Sequence, residues 1–177
     1  MSVDHELIDR LVRRIPDYPK PGICFYDIMP LLADPAGLTA CRTGLSGWAR
    51  DHEIELVLGV EARGFILGGA IAGDLGAGFI AARKPGKLPW EHVSADYALE
   101  YGTDSIEMHR DAVRPGCRVL VHDDLLATGG TADAACRLVE ELGGVVVGVG
   151  VIIELEGLGG RERLAGREIF PLLKLPA

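Results

Sequence analysis

Two hydrophobic patterns alternate along the chain, and together they predict an α/β fold. Apolar runs such as ELVLGV (55–60), GFIAARK (78–84) and VVVGVGVII (145–153) have the length and composition of strands. Helix-like stretches separate them, with apolar residues three and four positions apart, as in the segment that follows Thr131. This alternation predicts a mostly parallel, twisted sheet flanked by helices. No internal repeat or linker divides the chain, so residues 1–177 are expected to form one domain.

The polar positions mark where the other elements begin and end. Residues 4–15 place their apolar side chains on one helical face, whereas the next stretch, PDYPKPGICFYD (16–27), contains three prolines and predicts an extended loop. Asp34 before Pro35 is typical of a helix start, and that helix is expected to reach about His52. The stretches YALEYG and DSIEMH alternate like the strands of a hairpin around Gly102-Thr103.

Charge and composition exclude several classes of protein. A net charge of −8 argues against a nucleic-acid-binding surface, which depends on excess Lys and Arg. No apolar run predicts a signal peptide or a membrane span. The four cysteines are scattered without a CxxC pair, which favours reduced thiols in a cytoplasmic protein over a zinc or disulfide framework. The chain also lacks Asn and Gln, so a nucleobase would have to be recognised without side-chain amides.

The segment VLVHDDLLATGGTADAA (119–135) carries the strongest chemical signal. The glycines and threonines of 128–131 precede a predicted helix, where backbone N–H groups can surround one phosphate. No Lys-Ser/Thr pair follows, so this is not a Walker A loop. Asp123 and Asp124 would repel a second phosphate but suit ribose hydroxyls or a divalent cation. The alternative is that Asp124 only caps the helix and the glycines only form a turn.

Two further segments carry cations next to glycine or proline. In GVEARGF (59–65) a predicted strand ends shortly before Arg63, whose guanidinium is a permanent fork of donors. In RKPGKLP (83–89) two of the four lysines lie among prolines, with no dense acidic partner nearby in sequence. Such a segment can form a mobile loop that closes over a polyphosphate, but the sequence alone favours a solvated surface loop.

These motifs resemble those of the type I phosphoribosyltransferases. VLVHDDLLATGGT is similar to their binding motif for phosphoribosyl diphosphate (PRPP), and GVEARGF, RKPGKLP, LEYGTD and DYPKPGICFYDI resemble the adenine phosphoribosyltransferase family in particular. The matches run in order from residue 16 to about residue 160. The resemblance implies the fold of that family, with a small N-terminal hood (1–33) and a flexible lid (84–100). It also implies a homodimer in the cytoplasm that forms AMP and diphosphate from adenine and PRPP.

The resemblance further implies a role for each matching residue. The ribose and 5′-phosphate of PRPP would be bound by Asp123, Asp124, Ala127, Thr128, Gly129, Gly130 and Thr131. Diphosphate would be bound by Glu61, Ala62, Arg63, Gly64, Arg83, Lys84 and Lys87, and adenine by Ile23, Phe25, Tyr26 and Leu155. Catalysis would rest on Glu100, Arg63 and Tyr101. Mg²⁺ would be held mainly by PRPP, with Asp123 and Asp124 reaching it through water.

Two positions depart from the family pattern. Tyr26 stands where many relatives have Arg, which leaves backbone recognition of adenine intact but removes any side-chain contact of that arginine. His122 replaces an apolar residue, and we expect it to be a strand residue that faces away from the site rather than a metal ligand. Two other functions stay open at this stage: transfer to another base such as xanthine or orotate, and PRPP binding by a non-catalytic regulator.

Overall fold

A computed structural model describes residues 3–98 and 103–177 of the chain. Its helices are α1 (His5–Leu11), α2 (Met29–Ala33), α3 (Pro35–Ala49), α4 (Gly64–Leu75), α5 (Gly130–Glu141) and α6 (Gly160–Arg163). Its strands are β1 (Arg13–Ile15), β2 (Phe25–Asp27), β3 (Leu56–Val60), β4 (Gly78–Ala82), β5 (His92–Ala98), β6 (Thr103–His109), β7 (Arg118–Leu126), β8 (Val145–Glu156) and β9 (Ile169–Pro176).

A five-stranded parallel sheet, in the order β4-β3-β7-β8-β9, forms the centre of the molecule. Its two faces are covered by separate apolar clusters. One cluster lies under α5 and the β5–β6 hairpin, and the other lies under α3, α4 and the N-terminal elements. Strands buried on both faces need apolar residues at consecutive positions, which explains the uninterrupted run in β8. The predicted α/β class and parallel sheet are confirmed.

The helix that begins at Pro35 follows the expected capping rule. The Asp34 carboxylate accepts hydrogen bonds from the backbone N–H groups of Ala36 and Gly37, both at 2.9 Å, and Pro35 occupies the first helical position. The α-helix ends at Ala49, and one turn of 3-10 helix continues to His52. The predicted helix is therefore confirmed.

The N-terminal segment differs from its prediction in two places. The helix expected over residues 4–15 ends at Leu11, and residues 13–15 form strand β1 instead. This strand pairs with β2, so the proline-rich segment, expected to be an extended loop, ends in an antiparallel ribbon. Apolar spacing could not separate these outcomes, because the partner of Arg14 in the ribbon is Tyr26, twelve residues further along the chain.

The expected hairpin is present, with β5 and β6 paired antiparallel over their full length. Strand β5 begins at His92, so it occupies part of the segment predicted to be the lid; its mobility stays a prediction. The turn between the strands lies outside the described residues. Within the described ranges, none of the helices combines the length and the hydropathy that a bilayer crossing needs.

Candidate active site

The predicted PRPP-binding segments meet at one edge of the sheet. Parallel strands β4, β3, β7 and β8 are neighbours, so the segments that follow them emerge side by side at their carboxyl ends. A cavity of about 280 Å³ opens there. Its lining consists of Val60, Glu61, Ala62, Arg63, Lys84, Tyr97, Ile106, Asp123, Asp124 and Thr131. The structure thus brings together residues that are up to seventy positions apart in the sequence.

The glycine-rich turn after β7 has the conformation that a phosphate loop needs. Gly129 has a φ of 77°, in the left-handed region that favours glycine, and it is the N-cap of α5. The first backbone N–H groups of α5 have no helical partner and carry the positive end of the helix dipole. Thr131 lines the cavity and Thr128 is exposed beside it. This turn can therefore bind an anion at the cavity edge.

The two aspartates of the motif have different surroundings. Asp124 is buried, and its Oδ2 accepts a hydrogen bond of 2.5 Å from Nε of Arg63. Asp123 accepts from the backbone N–H of Asp124 at 2.8 Å. Burial, and then the like charge of Asp124, raise the pKa of Asp123 well above its ordinary value. The pair therefore presents one carboxylate with a cationic partner and one that takes up a proton easily.

Glu61 organises the cations that follow β4. Its carboxylate accepts from Nε and Nη2 of Arg83 at 3.3 and 3.2 Å, and from the backbone N–H of Lys84 at 2.8 Å. Burial alone would raise the pKa of Glu61, but these bonds hold it below its ordinary value. Arg83 also donates to the backbone carbonyl of Lys87, whose own side chain is exposed. A carboxylate in the predicted diphosphate site thus fixes the cationic segment.

Lys84 has an acidic partner, Asp104, that the sequence did not indicate. Its Nζ is paired with the Asp104 carboxylate and donates to the Tyr97 hydroxyl at 3.0 Å; that hydroxyl in turn donates to Asp104 at 3.0 Å. The hydrogen bond from Lys84 is the main reason why the pKa of Asp104 is lowered. The expectation that the lid cations lack acidic partners holds only for nearby sequence, because the sheet and the hairpin supply Glu61 and Asp104 from a distance.

The predicted base-binding residues are not among those that line this cavity; they lie in the N-terminal segment predicted to be the hood and at the end of β8. Ile23 is exposed, and Phe25 packs edge-on against Tyr18 with ring centroids 5.3 Å apart. The Ile23 N–H donates to the Lys20 carbonyl, and the Ile23 carbonyl accepts from Tyr18. The N–H of Ile23 is therefore used within its own turn, whereas its carbonyl retains a second lone pair.

The side chain of Tyr26, the departure from the family pattern, forms a hydrogen bond within the protein. Its ring is buried and its hydroxyl donates to the carbonyl of Pro176 at 2.9 Å. The side chain therefore ties the hood to the last strand of the sheet. Leu155, the remaining predicted residue, is half-buried against the apolar cluster that also contains Tyr26.

His122 behaves as expected for a strand residue buried away from the site. Its side chain is fully buried, and Nδ1 lies 2.9 Å from the carbonyl of Gly150. Burial lowers its pKa to about 4, so the ring is neutral near pH 7. Glu100 and Tyr101, two of the predicted catalytic residues, lie outside the described residues.

Known proteins with similar sequences are phosphoribosyltransferases, in agreement with the geometry of the site. The sequence profile of the phosphoribosyl transferase domain matches residues 30–166. The adenine phosphoribosyltransferase of Solibacter usitatus is 57% identical over 164 residues, which cover 93% of this chain and 95% of that protein. The relative from Thermobifida fusca, of the same name, is 54% identical over 97% of this chain and 98% of its own.

Solved structures agree as well. The adenine phosphoribosyltransferase of Thermoanaerobacter pseudethanolicus superposes with a TM-score of 0.93 at 47% identity, covering 97% of this chain and 99% of that one. The Saccharomyces cerevisiae enzyme, solved with an imino-altritol bisphosphate and adenine, superposes with a TM-score of 0.91 at 34% identity, covering 96% and 98%. Sequence, fold and site geometry lead to one conclusion: the chain belongs to the adenine phosphoribosyltransferases, within the phosphoribosyl transferase family.

Proposed function

We propose that this chain transfers the 5-phosphoribosyl group of PRPP to adenine and releases AMP and diphosphate. In this reaction N9 of adenine forms a bond to the anomeric carbon while the bond from that carbon to the diphosphate oxygen breaks. The N9 proton leaves the base, and the electron pair of the broken bond departs with diphosphate. The transition state has oxocarbenium character, so the protein mainly has to position two substrates and stabilise the leaving group.

The observation that carries the proposal is the convergence of two kinds of group on one cavity. The Asp123–Asp124 pair lies near the end of β7, and the proposed phosphate-binding turn (127–131) follows that strand; Glu61 and Arg63 follow its neighbour β3. A ligand with a phosphate, two ribose hydroxyls and a diphosphate needs this combination of donors, acceptors and cations in one place. The placement supports binding of the 5′-phosphate by residues 127–131 and of the diphosphate by Arg63, Lys84 and Lys87.

Mg²⁺ fits the site as a companion of PRPP. No cluster of three or more metal-ligating side chains occurs in the ranges 3–98 and 103–177, so these residues do not form a complete cage. Mg²⁺ commonly keeps several waters and binds through one or two carboxylates plus substrate phosphates. Asp123 and Asp124 at the cavity wall suit that arrangement, through water. When bound, the metal would neutralise charge on the departing diphosphate.

Recognition of adenine rests on backbone groups of the hood and on apolar contact. We propose that the side chains of Ile23, Phe25 and Leu155 pack against the adenine ring. Backbone groups around Ile23 and Tyr26 would bind its polar edge. The second lone pair of the Ile23 carbonyl suits the 6-amino group of adenine. Closure of the lid (84–100) would exclude water and bring Glu100 and Tyr101 to the anomeric carbon, where Glu100 would handle the purine proton. A homodimer and a cytoplasmic location are proposed from the family resemblance.

The proposal is tested by incubating the purified chain with PRPP, Mg²⁺ and adenine and measuring AMP and diphosphate by chromatography. Equimolar formation of both products is expected. The double variant Asp123→Asn, Asp124→Asn serves as control, because it keeps the shape of the site while removing the carboxylates. If the folded double variant used PRPP normally, the proposed ribose contacts would be wrong. If the wild type formed no AMP, the proposed function would be wrong.

A further inference from the structure

The end of β8 and the start of α6 are joined by an ion pair between a buried carboxylate and a more exposed guanidinium, and the proposed reaction does not use this pair directly. The side chain of Glu154 is 7% exposed, and it accepts two hydrogen bonds from one guanidinium. Nε of Arg161 donates to Oε1 at 2.8 Å, and Nη2 donates to Oε2 at 2.6 Å. A bidentate pair fixes the relative orientation of its partners as well as their distance. It therefore holds α6 in one position against the end of β8.

Helix α6 in turn supports the phosphate-binding turn through direct backbone contact. A Cβ atom placed on Gly160 would lie 2.2 Å from the carbonyl oxygen of Ala127, and one placed on Gly129 would lie 2.9 Å from the carbonyl oxygen of Gly160. Two backbones approach this closely only because neither carries a side chain there. A displacement of α6 would consequently displace the turn.

At the other end of the ion pair, strand β8 carries one wall of the proposed base pocket. Leu155 directly follows Glu154 in β8 and packs against the cluster that contains Tyr26 and, at its edge, Cys24. The segment from residue 154 to residue 161 thus begins at the proposed adenine site and ends on the proposed phosphate site, with the ion pair closing it into a loop.

We propose that the Glu154–Arg161 pair is a positioning element that sets the separation between the base pocket and the 5′-phosphate loop. The inference rests on the proposed function, since it assumes that AMP spans both sites. Neither residue touches a substrate in this account. In AMP the base and the phosphate are joined covalently. A wrong separation between the two sites therefore weakens the binding of AMP, while adenine and ribose 5-phosphate still bind separately.

The test compares Glu154→Gln with Glu140→Gln as a matched control. Glu140 accepts from Nε and Nη2 of Arg167 at 3.1 and 3.0 Å, but its carboxylate is more exposed than that of Glu154 and lies at the far end of α5. Dissociation constants are measured by calorimetry for AMP, adenine and ribose 5-phosphate, with Tm recorded for each variant. We expect Glu154→Gln to lower AMP affinity about tenfold relative to the product of the fragment affinities, and Glu140→Gln to leave that ratio unchanged.

Equal losses for all three ligands, an unchanged AMP affinity, or a loss confined to adenine would each overturn the inference. If Glu154→Gln does not fold, Arg161→Lys on the more exposed partner keeps the charge but not the bidentate fork, and the same ratio is measured. Failure of the wild type to bind AMP at all would overturn the proposed function and this inference with it. If only the inference fails, the wild type binds AMP normally, and the contradicting result is seen only in the affinities of the variants.

Discussion

Replacing Gly160 with alanine tests whether contact with α6 shapes the phosphate-binding turn. The new Cβ would lie 2.2 Å from the Ala127 carbonyl oxygen and 3.1 Å from Cγ of Leu126. A close carbon–oxygen contact is about 3.3–3.6 Å, so the two backbones must separate by roughly 1 Å. The atom that is met belongs to the main chain, and no side-chain rotation relieves the contact. Because the Glu154–Arg161 pair holds α6, we expect the turn that carries Thr128 and Gly129 to move.

Two consequences of this displacement can be measured. Overpacking of this kind costs about 1–3 kcal/mol of unfolding free energy, and each kcal/mol lowers Tm by about 2–4 °C in a chain of this size. A 1 Å misplacement of a substrate-positioning group costs roughly 100-fold in rate. We therefore expect kcat/KM for PRPP to fall about 100-fold in Gly160→Ala, measured by initial rates of AMP formation below the Tm of the variant.

Gly73→Ala provides the matched control. Gly73 lies on the exposed side of α4, and a Cβ there meets no heavy atom within 4 Å. This substitution should stabilise the protein by about 0.5–1 kcal/mol and leave kinetics unchanged, because alanine loses less backbone entropy in a helix. Normal PRPP kinetics in a folded Gly160→Ala variant would refute the argument that α6 positions the turn.

Four further predictions concern the carboxylates and the lid. The pKa of Asp123 is raised in the folded state, so its contribution to stability is present at low pH and is lost as pH rises through that pKa. Asp123→Asn should therefore raise Tm increasingly from pH 4 to pH 8, and it should also raise KM for PRPP. A Tm difference that does not depend on pH would contradict this prediction. Replacing Lys84 and Lys87 with alanine should raise KM for PRPP and flatten its dependence on salt, whereas Glu100→Gln should lower kcat more than PRPP affinity in single-turnover experiments. Hydrogen exchange over residues 84–100 should slow when PRPP and Mg²⁺ are added, and equal protection in both states would exclude a closing lid.

The parallel sheet, and the polar residues at the carboxyl ends of its strands, could be predicted from the sequence because both depend on local pattern. Buried strands such as β8 require continuous apolar runs, and a turn with a left-handed residue at position 129 requires glycine. Neither feature depends on a distant partner. The helix start at Asp34-Pro35 is local in the same sense, and it was predicted correctly.

Features that depend on distant partners were missed. The pairing of Lys84 with Asp104 exists because β6 returns antiparallel to β5 and places Asp104 opposite Tyr97. The edge strand β9 was not predicted, since it contains Pro171 and Pro176, which are tolerated only where a strand has a free side. The contact of Gly160 with the phosphate-binding turn likewise depends on two segments more than thirty residues apart, and no local pattern indicates it.

The most direct test of the account is the rate of nucleotide formation from PRPP and Mg²⁺ with adenine, hypoxanthine, guanine and xanthine in parallel. A backbone acceptor that pairs with the 6-amino group of adenine would face a carbonyl oxygen in each of the other bases. Each buried polar group left unpaired costs about 1–3 kcal/mol, or roughly 5- to 150-fold in kcat/KM. The account predicts that adenine is preferred by at least the lower end of that range over every other base. Comparable efficiency with hypoxanthine, or PRPP binding without turnover of any base, would contradict it.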